Sequence, residues 1–398
     1  MNEFIDFRLE QRALLDVAKQ FDIRLREGLS AENQEIKALP TYVALGGQRN
    51  TDHAYVLDLG GSNLRAAFVD LGTGSVSDPI VRSMPWQRGI AMEKSDYLSV
   101  QAELLQQLPQ RASAPLGYCF SYPASSEHNG DARLLRWTKG VVVPDTEGQL
   151  VGAELLQCMK TRFGRRFPAL AVINDTVASM LAGFDRGGCD AYAGLIVGTG
   201  MNLAGLMRAR EIPKLPLAFR DSALQFPVNF ESGNFHPPGL AEWDDIVDKK
   251  SENPGRQRFE KAVSGMYLGR IFSAAYPELE FDPESGARGL LEFACSSAEE
   301  GLARSASSLY ERSAQLVAAQ LAGLALFYSR RKDCATLRIV VEGGLAWSSI
   351  NSNIHYIDLL KRNLLALLRS LDVGISAELV QITNANLIGA AVAASSLS

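Results

Sequence analysis

Asn174 and Asp175 stand where an apolar run ends and a helical apolar spacing begins, in the stretch VINDTVASM at 172–180. A buried carboxylate at such a seam costs free energy unless it is paired. Two readings are open. Asp175 caps the helix, a role worth about 1 kcal/mol, or a ligand arrives there. Capping by Asp175 leaves Asn174 unexplained, and the carboxyl end of a strand is where α/β sheets bind ligands.

Two glycine loops suit phosphate. DLGGSNL at 58–64 and IVGTGMNL at 196–203 each set glycine, a hydroxyl and asparagine between apolar runs. That likeness suggests a duplicated unit. Glycines let backbone N–H groups approach an anion, and Ser62 and Thr199 add hydroxyl donors. Asp58 is suited to hold a magnesium-bound water. A plain hairpin turn explains either loop alone; the matched pair favours a grip on two parts of one polyphosphate. The first loop has neither the GxGxxG nor the GxxxxGK[ST] spacing, which disfavours a dinucleotide site and excludes a P-loop. Ser121 in FSYP, Thr138 and Lys139 in LLRWTKG, Glu231 in NFESG and Glu260 in RQRFEK add polar groups beside apolar runs. Taken singly, each has an ordinary explanation: a strand-end hydroxyl on backbone, a solvated lysine, a surface glutamate.

The elements that must position these groups alternate. Apolar spacing predicts a helix over 5–30, hairpins around both glycine loops, and a strand in LGYCFSYP. It further predicts a helix near 154–162 and a strand leading into Asn174. A polar, proline-bearing stretch runs from about 206 to 257. Helical spacing follows over 258–275, 297–330 and 355–371, with a strand and turn at TLRIVVEGG and a small-residue helix at the end. This alternation indicates an α/β protein.

The chain has 398 residues, 46% hydrophobic and 21% charged, which predicts two or three domains or one two-lobed body. A net charge of -5 argues against a nucleic-acid partner, which usually shows as basic excess. No apolar run is long enough for a membrane span, and the amino-terminal stretch lacks the basic and apolar regions of a secretory signal. Five cysteines, odd in number and without a CxxC pair, read as reduced thiols in the cytoplasm. Four scattered histidines disfavour a zinc site or a histidine-based triad.

The ordered set of motifs resembles the hexokinase family, within the sugar kinase, heat-shock ATPase and actin superfamily. LPTYV at 39–43, LDLGGSNLRAAFV at 57–69, FSYP, LLRWTKG, INDTVASMLAG at 173–183, GLIVGTGMN at 194–202 and SENPGRQRFEKAVSGMYLGRI at 251–271 stand in family order. The last is long and specific, and the resemblance spans nearly the whole chain. It implies a two-lobed actin-like ATPase (ribonuclease H-like) fold with an interlobe cleft. The small lobe is expected at 54–172 plus 383–398, and the large lobe at 1–53 plus 173–382. The implied activity is transfer of the ATP γ-phosphoryl group to the 6-hydroxyl of a hexose, glucose first, with magnesium carried by the nucleotide.

By position, Asp175 matches the family's catalytic base. Ser121, Thr138, Lys139, Asn174, Asn202, Glu231 and Glu260 match its hexose ligands. Asp58, Gly60, Gly61, Ser62 and Asn63 match the first phosphate loop, with Arg65 beyond it. Thr199 and Gly200 match the second, and Gly343 and Gly344 the adenosine turn. Ser62 stands for the family's usual threonine, Glu342 for an aspartate, Gly344 for a serine and Ser232 for a tryptophan. The carboxy-terminal glycine-rich segment reads Asn386-Leu387-Ile388-Gly389. Each block occurs once, which predicts a single catalytic unit. Two rivals share the fold: a catalytically silent sugar-binding regulator, disfavoured by the intact Asp175 and both loops, and an ATPase without a hexose site.

Overall fold

In the computed structural model, residues 4–46, 49, 51–61, 63–110, 114–220 and 224–397 are described. Two six-stranded sheets follow one plan. In the first, the hairpin His53–Leu59 and Asn63–Asp70 is antiparallel, and Ile80–Ser83 adds antiparallel to its outer strand. Leu116–Phe120 and Leu170–Ile173 extend the other side in parallel. In the second, Ala191–Val197 and Met201–Arg208 form the hairpin, with Gln225–Asn229 antiparallel outside it. Thr336–Glu342 and Ser376–Val380 extend its other side in parallel. Both hairpin turns carry a glycine loop, as the sequence likeness predicts. Residues 54–59 are all buried, the pattern of a strand covered on both faces.

Each sheet ends by feeding a crossing helix. Leu170–Ile173 leads into Asp175–Asp185, and Ser376–Val380 leads toward Ala385–Ser395. The two helices pack on each other in an apolar layer shared with both sheets, built from Val56, Ile173, Ala178, Leu206 and Ala390 among others. Their approach is close because Gly389 has no side chain: a Cβ there would sit inside contact distance of the Ala178 carbonyl. Ser179 Oγ donates to Asn386 Oδ1 at 3.2 Å across the same crossing. Asn386-Leu387-Ile388-Gly389 is therefore helix-packing sequence.

Three expected boundaries move. The first helix is Gln11–Ser30, while residues 4–10 run without regular structure along the long helix Glu300–Tyr328. There Phe7 N donates to Ser308 Oγ at 3.0 Å and Leu9 N to Gln315 Oε1 at 2.9 Å. The expected helix 258–275 is two, Arg258–Val263 and Gly265–Ala275, with Ser264 extended between them. The polar stretch 206–257 contains the strand Gln225–Asn229 and the helix Glu242–Lys250. None of the helices among the described residues is long and apolar enough to cross a membrane.

Candidate active site

The seam at residue 174 resolves into two roles. Asn174 is the N-cap, its Oδ1 accepting Thr176 N at 2.9 Å. Asp175 is the first helical residue, and its Oδ1 also accepts Thr176 N, at 2.8 Å. So the amide performs the capping first considered for Asp175, and the half-buried carboxylate stands at the positive end of an eleven-residue helix. Helix amino termini favour phosphate and other anions.

Three more charges gather there. Asp58, next to last in the first hairpin strand and 4% exposed, pairs with its cross-strand partner Arg65, whose Nε lies 2.9 Å from Asp58 Oδ2. Burial pushes the Asp58 carboxyl above its ordinary value; Arg65 opposes this and Asp175 adds to it. Glu342 ends the strand Thr336–Glu342 of the other sheet. Its carboxyl is likewise raised by burial, lowered by Arg65 and raised by Asp175 and Asp58. Charges from both sheets thus act on one another. Among the expected residues Glu342 was singled out only as a substitution; its place in this cluster depends on the parallel pairing of Thr336–Glu342 with Ala191–Val197.

Asp58 Oδ1 is buried with no hydrogen-bond partner. The neighbouring Cys119, its register partner, carries a thiol, a weak donor at best. A buried carboxylate oxygen two residues before a glycine loop, bonded to no stronger donor than the Cys119 thiol, fits a magnesium-bound water, since magnesium keeps several of its waters. No three His, Cys, Asp or Glu side chains converge as metal ligands among the described residues.

The first loop turns tightly, with Gly60 N donating to Asn63 O at 3.0 Å. Tyr122 Oη donates to the carbonyls of Gly60 and Gly61, each at 3.2 Å. Ser62 lies outside the described residues. Asn63 is exposed, accepting Ser83 Oγ at 3.4 Å. Lys139, held at φ 60°, donates Nζ to Ser121 O at 3.2 Å and sits 5.0 Å above the Tyr122 ring. A Cβ on Gly61 would stand 3.6 Å from Lys139 Cδ. Ser121 and Lys139 thereby join the rim of the first loop, with Thr138 next to Lys139 in the chain, its carbonyl accepting Val141 N at 3.1 Å.

A second polar cluster lies under the other hairpin. Asn202 Nδ2 donates to Asn229 Oδ1 at 2.8 Å, and Asn229 Nδ2 donates to Glu231 Oε1 at 2.8 Å. Glu231 takes the left-handed conformation at φ 53°, which turns the chain back beneath the loop. Glu260 Oε2 accepts Met201 N at 2.9 Å. Burial raises the Glu260 carboxyl, Glu231 adds to this, and the Met201 N–H, Lys261 and Lys139 oppose it. Asn229, central to this chain of amides and carboxylates, was passed over as a neighbour of Glu231. Its strand lay within a stretch read as polar loop.

The second loop is fixed from two sides. Gly198 N donates to Gly200 O at 2.9 Å, and Gly265 N, at the start of a helix, donates to Gly198 O at 2.7 Å. Met266 N reaches Thr199 O at 3.3 Å. Gly343, at φ 101°, lies against Val197 and Gly198, where a side chain would collide with backbone. Gly344 faces open space. The loop Thr199–Gly200 and the turn Gly343–Gly344 therefore abut. Two surface depressions of about 370 and 490 Å³ lie elsewhere, around Arg24 and His236 and along Lys361 and Arg369, and hold none of these residues.

The chain is similar to known proteins in sequence and in fold. A family model described as hexokinase matches residues 2–184, and a second with the same description matches 192–280. Human hexokinase-3 is 35% identical over 279 residues, 67% of this chain and 29% of that protein. Rice hexokinase-1 is 34% identical over 280 residues, 65% of this chain and 55% of that protein. The chain thus spans less than two thirds of the length of these curated relatives. A hexokinase from Schistosoma mansoni complexed with glucose shares the fold, with TM-score 0.74 and 24% identity over 98% of this chain and 96% of that one. A ROK hexokinase from Thermus thermophilus shares it more loosely, with TM-score 0.54 and 18% identity over 86% of this chain and 97% of that one. Its two-sheet architecture is the actin-like ATPase fold of these solved structures, and by its family matches this chain belongs to the hexokinase family.

Proposed function

We propose that this protein is an ATP-dependent hexokinase that phosphorylates the 6-hydroxyl of glucose or a related hexose, with Asp175 as general base. The observation that carries the reading is the position of Asp175. It stands at a helix amino terminus among charges from both sheets, with Asp58 and Arg65 from one and Glu342 from the other. The lobes are taken as 54–172 with 383–398 and 1–53 with 173–382, divided at the crossing helices.

Hexose recognition falls to Asn174, Asn202, Glu231, Glu260, Ser121, Thr138 and Lys139. A hexose is ringed with hydroxyls that both donate and accept, and mixed amides, carboxylates and hydroxyls match them. A wrong ligand leaves such groups unpaired at about 1–3 kcal/mol each, so the site discriminates. Asp175 accepts the proton as the hydroxyl oxygen bonds to the γ-phosphorus; the bond to the bridging oxygen breaks and ADP leaves. The two glycine loops present N–H groups to the phosphates, and Gly343 and Gly344 receive the nucleoside. Asp58 would hold nucleotide-borne magnesium through a water, and the ion would supply charge neutralisation for the transferring group. Closure of the lobes excludes water, the competing acceptor.

The test is a coupled assay of ADP release by purified protein with ATP and magnesium, across glucose, mannose, fructose, glucosamine and no sugar. Sugar-dependent release is expected, strongest with glucose. Release that ignores sugar overturns the hexokinase reading in favour of an ATPase. No release from folded protein favours another phosphoryl donor or a silent sugar binder.

A further inference from the structure

Glycine loops are loose by composition, because glycine populates many backbone states. Gly60 and Gly61 are nevertheless held, and by one side chain. Tyr122 stands two residues past the strand Leu116–Phe120 and is 3% exposed. Its ring is wedged among aromatic neighbours, with centroids at 4.8 Å for Trp137, 5.4 Å for Phe120 and 6.0 Å for Trp86. Trp137 is tied in turn, its Nε1 donating to Thr146 Oγ1 at 2.8 Å. Aromatic contacts at such separations add to plain area burial. The ring therefore has one place to stand, and its hydroxyl one place to reach.

That place is the turn of the first hairpin. Tyr122 Oη donates to Gly60 O and Gly61 O, each at 3.2 Å, one hydrogen shared between two carbonyls that can only accept. Burial pushes the phenol above its ordinary value, so it stays protonated and able to donate. A trans peptide is planar, and its C=O and N–H point opposite ways. Holding the Gly60 carbonyl toward Tyr122 therefore turns the Gly61 N–H away from it. Gly60 N is used inside the turn, on Asn63 O at 3.0 Å, whereas Gly61 N has no partner among the described residues. The ring of Tyr122 serves a different neighbour: Lys139 Nζ lies 5.0 Å from its centroid and donates to Ser121 O. Ring and hydroxyl thus act on separate groups.

We propose that Tyr122 is a positioning residue for the nucleotide, its hydroxyl fixing the Gly60–Gly61 peptide so that the Gly61 N–H is presented to a phosphate oxygen. The inference rests on reading the first loop as a phosphate loop. Tyr122 touches neither substrate. Without its hydroxyl the peptide is free to rotate, and ATP must order it on binding. The ring stays, and Lys139 with it. The loss therefore falls on ATP and spares glucose.

The experiment measures ATP affinity and glucose affinity separately by calorimetry on the full chain, with magnesium present, together with kcat/KM for ATP at saturating glucose and a thermal melt. It compares wild type, Tyr122→Phe and Trp86→Phe. Phenylalanine at 122 keeps the ring and its contacts and removes only the oxygen. ATP affinity and kcat/KM for ATP are expected to fall about 3- to 10-fold in Tyr122→Phe, the scale of one neutral hydrogen bond. Glucose affinity should stay within about twofold, since no sugar contact is lost. Trp86→Phe loosens the packing of the ring and keeps the hydroxyl; it should lower the melting temperature without an ATP-selective loss. Unchanged ATP affinity in Tyr122→Phe, or equal losses for ATP and glucose, overturns the inference and leaves the kinase reading standing. The same ATP-selective loss in Trp86→Phe assigns the effect to packing and also overturns it. Wild type that binds no ATP overturns the reading of the first loop, and the inference with it. Wild type that binds ATP but phosphorylates no sugar overturns the hexokinase reading alone, and calorimetry still decides the role of Tyr122.

Discussion

Gly200→Ala separates the sugar side of the cleft from the nucleotide side with one methyl group. Gly200 belongs to the second loop, proposed to receive phosphate, yet a Cβ built there points at Glu260: it would lie 2.7 Å from Oε2 and 3.6 Å from Cδ. The backbone at Gly200 is not in the left-handed region, so alanine brings no conformational strain of its own. The obstructed atom is the free end of a side chain, which can swing away without moving the fold. Swinging away breaks the 2.9 Å bond from Met201 N. A hydrogen bond to a charged group contributes about 1.5–3 kcal/mol. Productive sugar binding must restore the original carboxylate position against the methyl. At about 1.4 kcal/mol per factor of ten, the glucose KM should rise roughly 10- to 100-fold. The ATP KM should change little, while the melting temperature should fall by about 2–4 °C, because the lost bond also belongs to the sugar-free fold. Steady-state kinetics with each substrate varied in turn, with a thermal melt, provide the assay. An unchanged glucose KM, or a loss confined to ATP, refutes the claim that the second loop and the sugar carboxylate share this contact.

Two other outcomes follow from the same geometry. Gly389→Val forces the crossing helices apart at the Ala178 carbonyl; it should destabilise by about 3 kcal/mol, the upper end for overpacking, and lower activity through displaced Asp175, as a melt and an activity assay would show. Asp58, Glu260 and Glu342 have folded-state carboxyls raised above ordinary values of 3.8, 4.5 and 4.5 by burial. In the window from those ordinary values up through the raised ones, the folded state binds more protons than the unfolded. Sugar-free stability from these groups is therefore present below the window and lost as pH rises through it. Glucose binding needs ionised Glu260 and runs the other way, so the thermal shift produced by glucose should grow as pH rises. A glucose-induced shift that shrinks across this window contradicts the assignment of Glu260.

Much of this site was legible in the sequence, for a physical reason. A glycine–asparagine turn between two apolar runs has few ways to fold, and both hairpins formed as expected. The seam at Asn174–Asp175 was legible as a strand-to-helix junction, though the cap went to the amide. What escaped was decided by distant partners. Phe7 and Leu9 carry helical spacing, but their backbone N–H groups bond to side chains of the long helix Glu300–Tyr328, and tertiary contact overrides local pattern there. The stretch 258–275 reads as one helix, but Gly265 N and Met266 N must meet the second loop, and Ser264 opens to allow it. Asn229 could not be found from its neighbours, because its partners Asn202 and Glu231 are assembled by strand pairing and a left-handed turn.

The central claim is that Asp175 takes the proton from the sugar hydroxyl. Asp175→Asn keeps the side chain's shape and its ability to accept from Thr176 N, and removes the base. The measurement is kcat for sugar-dependent ADP release, with glucose affinity determined on the same preparation. The account predicts that glucose affinity stays within a few-fold of wild type, while kcat falls by at least about 10²-fold, the lower end of general base catalysis. An Asp175→Asn variant that binds glucose and retains wild-type kcat contradicts it.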